Sequence, residues 1–233
     1  MKTWIISGLV AAALYTNFDF VNWSRYQIEP VHEASRAKHA RELLGKDYRR
    51  SPAAQVTGLG ALHISLFNRV QSELKPRWKG KAQLITRTLI EESRKYQIDP
   101  IFVMAIIKTE SGFNPLIRGR HGEIGLMQIK PDTAEWIARK HKIDWNGEKT
   151  LENPAANIKI GVAYMAYLRT KFDGSANKYV SAYNMGPKNV KRLVAKKIKP
   201  VEYSSRVMKH YTAFYASFTP KAQKSFLNLA ANH

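Results

Sequence analysis

The chain has no cysteine, which excludes disulfides, thiolate metal sites, a cysteine nucleophile and acylation as a lipoprotein. It is also short of acid. Eighteen Asp plus Glu stand against 38 Lys plus Arg, a formal net charge of +20 in 233 residues. A balance of that sign predicts an anionic partner: nucleic acid, an acidic membrane face or a cell-wall polymer. No Gly-rich phosphate loop and no Gly-x-Ser-x-Gly elbow occurs, so the sequence carries neither nucleotide-cradling nor serine-hydrolase signatures. His121 and His141 lie twenty residues apart without carboxylates at metal-ligand spacing, so no metal or other cofactor is expected. What the chain does have is apolar content: 44% hydrophobic and 11% aromatic residues. That is enough to close a core, and it argues against global disorder.

At the N-terminus, Lys2 precedes an uncharged run from Trp4 to Tyr15 that ends in Ala11, Ala12 and Ala13. Those proportions predict a secretory signal over residues 1–16. The run is shorter than the ~18–20 residues of a spanning helix, yet Phe18, Phe20, Val21 and Trp23 follow, so an uncleaved anchor is the alternative, and a buried helix the third reading. Either of the first two places the chain outside the cytoplasm, periplasmic or anchored in the inner membrane facing the periplasm. Residues 17–80 read as a charged helical extension, with helices over Pro30–Leu44 and Ala54–Leu74, and carry no recognisable chemistry. They are expected to act as a spacer or cap. Residues 219–233 are left as a C-terminal tail.

From residue 81 to 218 helix signals are dense. Ala82–Tyr96 has helical periodicity, and Asp99-Pro100 and Asn153-Pro154 each pair a cap with proline at the first helical position. Lys130-Pro131 opens a helix through Ile137, Ser175 one to Tyr183, Pro187 one to Lys197, and a last one spans Val201–Phe218. Six or seven short-linked helices describe an all-α domain preceded by a helical extension.

Within it, Ile101–Ile107 is apolar all round, so that helix is expected to be buried. Glu110 ends it. A carboxylate there meets an apolar wall and the negative end of the helix dipole, both of which disfavour ionisation. A carboxyl with a raised pKa suits proton donation to a glycosidic oxygen. Taken alone, a helix-terminal Glu beside Lys108 reads more readily as an exposed surface residue. The same holds further on: Gly125-Leu126-Met127-Gln128 and Tyr183-Asn184 offer the mixed apolar and amide lining that sugars need, or else a core segment and a helix end.

Together, ESGFNP (Glu110–Pro115), GLMQI (Gly125–Ile129) and AYNMGP (Ala182–Pro187), in this order, closely resemble the soluble lytic transglycosylase (SLT, family 1) domain of the lysozyme-like superfamily. The likeness covers about Lys81 to Phe218, including NPAANIKIGVAYM. It implies a lysozyme-like all-α fold that cleaves the β-1,4 bond between N-acetylmuramic acid and N-acetylglucosamine in peptidoglycan. It makes Glu110 the catalytic carboxylate, acid and then base, closing a 1,6-anhydro ring with help from the sugar's acetamido group. It assigns Ser111, Gly125, Met127, Gln128, Tyr183, Asn184 and Tyr203 to the substrate site, with Tyr183 near Glu110 and Asn184 holding its loop. Two departures stand out. The family's Ser nine residues after the Glu is Gly119 here, with Arg118, Arg120, His121 or water as replacements for its hydroxyl. The family's Glu-Thr…Tyr-Val pattern is matched only by Tyr203, with Glu202 directly before it.

The resemblance implies glycan strands as partner; in an exported chain no nucleic acid is expected, and the chain is expected to act as a monomer. The basic cluster from Lys188 to Lys199 then reads as wall or membrane-surface attraction. Two other readings share the fold: a goose-type lysozyme-like hydrolase, for which Glu123 and Asp132 are the nearest second carboxylates, and a non-catalytic wall-docking protein.

Overall fold

A computed structural model describes residues 32–56 and 60–219. The expected signal or anchor, the start of the extension and the tail beyond 219 lie outside the described residues. Ten α-helices occur among the described residues: α1 (Glu33–Leu44), α2 (Pro52–Gln55), α3 (Gly60–Glu73), α4 (Ala82–Tyr96), α5 (Pro100–Ser111), α6 (Pro131–His141), α7 (Pro154–Lys171), α8 (Ala176–Met185), α9 (Pro187–Ala195) and α10 (Glu202–Ser217). No strand occurs among them; only isolated bridges pair Arg118 with Ile124 and Ile124 with Ile129. The all-α expectation holds, with seven helices from Ala82 onward.

The caps explain where helices begin. Asp99 accepts from the Ile101 amide at 2.9 Å, and Asn153 from Ala155 and Ala156 at 2.9 and 3.2 Å. Each is followed by a proline whose missing N–H costs nothing at that position. Lys130 and Ser175 make no side-chain cap. α6 runs past Ile137 to His141, and α9 stops at Ala195, two residues short of the expected Lys197. The single helix expected over Ala54–Leu74 is two, because Val56 leaves α2 in an extended conformation; Gly58 and Gly60 close by weaken any continuous helix.

The core is centred on α5, whose residues Pro100–Ile107 are all buried. Each fully buried Ile, Phe or Met side chain contributes about 1.5–3 kcal/mol. α5 packs against α10 and α4, α4 against α7, and α7 against α8. Among the described residues no helix is long and apolar enough to cross a membrane.

The extension joins this same core, through Ala40, Ala53, Val56, Leu66, Val70 and Leu74. Its polar contacts reach further. Fully buried His39 accepts the Asp99 backbone N–H on Nδ1 at 3.0 Å, which leaves Nε2 to donate to the Tyr179 hydroxyl at 3.1 Å. Buried Arg36 donates to Tyr215 Oη at 2.6 Å, to Val56 O at 2.7 Å and to Glu33. Tyr215 and Tyr211 in turn donate to Asp99 Oδ2 at 2.6 and 2.7 Å. Glu42 and Arg169 of α7 form a forked ion pair, 2.6 Å at its shortest. A charged stretch that reads as a spacer or cap is thus fixed to the N-terminus of the central helix by buried hydrogen bonds, each expensive to leave unmade.

Candidate active site

Below the C-terminal turn of α5 lies a groove of about 760 Å³. Its walls come from α5 (Thr109, Glu110), the loop before α6 (Glu123, Gln128), α7 (Tyr164), α8 (Tyr183, Asn184) and the start of α10 (Tyr203, Arg206). α5 ends in a left-handed Gly112, so Glu110 occupies its last turn and faces the groove.

Tyr203, almost fully buried, donates its phenol proton to Glu110 Oε1. Burial by the groove walls raises the Glu110 carboxyl from 4.5 to about 7, against the Tyr203 hydrogen bond and the Arg206 charge; the charge of Glu123 adds to the rise. Burial, and then the Glu110 charge, push the Tyr203 phenol well above its ordinary value, so Tyr203 keeps its proton and is the donor. The acidic proton of neutral Glu110 therefore resides on Oε2, the oxygen not engaged by Tyr203.

Glu123 lines the same groove in the opposite state. Burial would raise it, but backbone amides at Glu123 and His121 and the Lys130 ammonium outweigh that and hold it below the usual carboxylate range. Its Oε2 accepts from His121 N at 3.0 Å, and Oε1 is 3.6 Å from Lys130 Nζ. One groove thus carries a protonated and an ionised carboxyl near neutral pH.

The groove's rear wall is held by Asn157 of α7, which is fully buried. Its Oδ1 accepts from Met127 N at 2.8 Å, and its Nδ2 donates to Ile124 O and Leu151 O at 2.8 and 2.9 Å. Gly125 passes so close to this amide that a Cβ would overlap Asn157 Nδ2 and sit 2.5 Å from Leu151 O, and its φ of +82° strains any other residue. The Met127 carbonyl then accepts from Tyr183 Oη at 2.9 Å. Gln128, with φ of 47°, donates to Ile117 O and Gly125 O at 3.1 and 3.0 Å.

Of the residues singled out from the sequence, Glu110, Gln128, Tyr183, Asn184 and Tyr203 line the groove together. Ser111, Gly125 and Met127 do not. The Ser111 hydroxyl donates to Ile107 O at 3.0 Å, and Met127 is buried behind the wall. At Gly119, the space a Ser side chain would need is taken by the Glu123 carboxylate and by Gln128 Oε1, 2.7 Å from where a Cβ would stand. Arg118 faces Glu148 and Glu152 at 3.2 and 2.9 Å, whereas Arg120 and His121 line the groove. Asp132 and Glu202 do not line it. Asn157, Tyr164 and Arg206 went unnoticed in the sequence. Only Asn157 left a trace there, as the amide that opens the mostly apolar run NIKIGVAYM. Among the described residues no group of three or more His, Asp or Glu is placed to hold a metal.

Residues 87–203, half of the chain, match the family described as the Transglycosylase SLT domain. The chain belongs to that family. Among solved structures it is similar to the 70 kDa soluble lytic transglycosylase of Escherichia coli, at 25% identity over 78% of this chain and 32% of that one, with a TM-score of 0.49. It is also similar to an inactive mutant of the lytic transglycosylase Slt of Pseudomonas aeruginosa, at 23% identity over 91% of this chain and 35% of that one, with a TM-score of 0.52. The latter likeness shows a shared fold. The chain spans about a third of the length of these structures.

Proposed function

We propose that the chain is a peptidoglycan lytic transglycosylase, cleaving the β-1,4 bond between N-acetylmuramic acid and N-acetylglucosamine to leave a 1,6-anhydromuramoyl end. The observation that carries this reading is the Glu110 carboxyl, half-buried in a glycan-sized groove, neutral up to about pH 7 and tied by Tyr203 through one oxygen only. In the first step Glu110 Oε2 gives its proton to the glycosidic oxygen as the bond to the anomeric carbon breaks, and the sugar's own acetamido oxygen relieves the positive charge at that carbon. In the second, the Glu110 carboxylate takes the proton of the muramoyl O6 hydroxyl as O6 bonds to the anomeric carbon. The carboxyl ends as it began, with no water consumed. This is a substrate-assisted departure from the two-carboxylate scheme.

Gln128, Tyr183, Asn184 and Tyr203 form the sugar site around it, with Ser111, Gly125 and Met127 shaping the backbone behind. Residues 81–218 are the catalytic domain, and the helices before it support it. We place the chain outside the cytoplasm, acting as a monomer on glycan strands, its positive charge drawing it to the anionic wall and membrane surface.

One observation favours a second reading, a hydrolase: ionised Glu123 lines the same groove and could position water. Mass analysis of purified wall digested by the chain separates the two. The transglycosylase leaves muramoyl ends one water lighter, and ordinary reducing ends would overturn the proposal. Glu110→Gln should abolish cleavage, since a general acid alone is worth ~10²–10⁴ in rate.

A further inference from the structure

The groove's aromatic wall continues onto the surface. Tyr183 and Tyr164 line the groove, their ring centroids 5.5 Å apart. Tyr164 stacks on Tyr167, one turn further along α7, at 6.4 Å and 15°. Tyr167 meets Trp136 of α6 edge to face at 4.7 Å and 81°. On α6 the same step recurs, because Thr133 lines the groove and Trp136 lies three residues on. Both helices therefore pass from groove wall to aromatic surface in about one turn, roughly 5 Å, a step the length of one saccharide unit.

Trp136 is 41% exposed, so part of the indole stays open to solvent beside its contact with Tyr167. Lys140 Nζ lies 4.8 Å from the Tyr167 ring centre and 5.6 Å from that of Trp136, and Lys171 donates to Tyr167 Oη at 2.9 Å. Both ammonium groups lie over the rings, so an N-acetylated sugar would lay its apolar ring face on the exposed part of the indole, with its amide and lactyl oxygens meeting the ammonium donors.

We propose that Trp136 and Tyr167, with the ammonium groups of Lys140 and Lys171 over their rings, form an outer saccharide subsite that extends the groove by one sugar and lets the chain prefer long glycan strands. This rests on the functional reading above. The occupant is a further residue of the strand whose neighbours fill the groove, since Tyr164 belongs to both surfaces.

The test uses the full chain, with chitotriose and chitohexaose as β-1,4-linked N-acetylglucosamine probes, and calorimetric binding of the parent, Trp136→Ala and Trp136→Phe. The subsite predicts that Trp136→Ala weakens chitohexaose binding roughly tenfold, as for one lost aromatic stack. Chitotriose binding should be unchanged and Trp136→Phe should recover most of the loss. If Trp136→Ala binds both oligomers as the parent does, the subsite is refuted while the functional reading stands. Equal weakening of both oligomers with a lowered melting temperature would make Trp136 structural and also refute it. A parent that binds neither probe would overturn the subsite, while the functional reading is decided separately by the masses of the wall-digest products.

Discussion

Exchanging Glu110 for Gln keeps the side chain's shape and its acceptor for the Tyr203 proton, and removes only the ionisable group. In the native protein that carboxyl titrates at about 7, against 4.5 when solvated. The folded state therefore holds more bound protons than the unfolded one between these values, and stability falls as pH rises through that window. At 1.36 kcal/mol per unit, ionising the buried carboxyl costs up to about 3 kcal/mol above pH 7, less where the open groove lets water in. The Gln variant escapes this cost. It should melt several degrees above the parent at pH 8, by the scaling of about 2–4 °C per kcal/mol for a chain of this size, and the difference should vanish near pH 4.5. Calorimetric melting of both proteins across pH 4.5–8 measures it. A variant no more stable than the parent at pH 8, or a difference independent of pH, would show that the carboxyl is not held neutral and would remove the basis for its role as acid.

The remaining predictions concern the scaffold. Asn157→Ala orphans the Met127 amide and two carbonyls in a dry site; it should cost roughly 3 kcal/mol in denaturant unfolding and lower kcat more than thermal stability alone accounts for, as the Gln128 loop loosens. His39, neutral and buried with its Nδ1 accepting a backbone N–H, is held well below its usual pKa, first by burial and then by Arg169. The stability it supports is complete above the unfolded value of 6.5 and drains away as pH falls below it. Urea unfolding between pH 7 and 5 should show that slope, and His39→Gln should flatten it.

Much of the fold is written locally. Cap-proline pairs mark the starts of α5 and α7, and the all-round apolar Ile101–Ile107 announces the central helix. Glu110, Gln128 and Tyr183 were legible because each falls in a short signature, and Tyr203 as the one residue that keeps a further pattern the chain otherwise lacks. Arg36 and His39 were not: on a helix whose apolar period is weak, a buried guanidinium and imidazole look like any solvated charge, and their partners stand 179 and 60 residues away. Glu123 was visible as a carboxylate, but its place beside Glu110 depends on the fold of a loop that no periodicity encodes.

Asp99 caps α5 at one end and Glu110 closes it at the other, about 16 Å apart along a rigid rod. The clamp on Asp99, formed by Arg36, His39, Tyr211 and Tyr215, lies outside the 87–203 stretch that identifies the family. Relatives could therefore share every groove residue and still differ in how firmly the proton-bearing end is moored, because the mooring is at the far end of the rod and in a part of the chain that a motif search does not read.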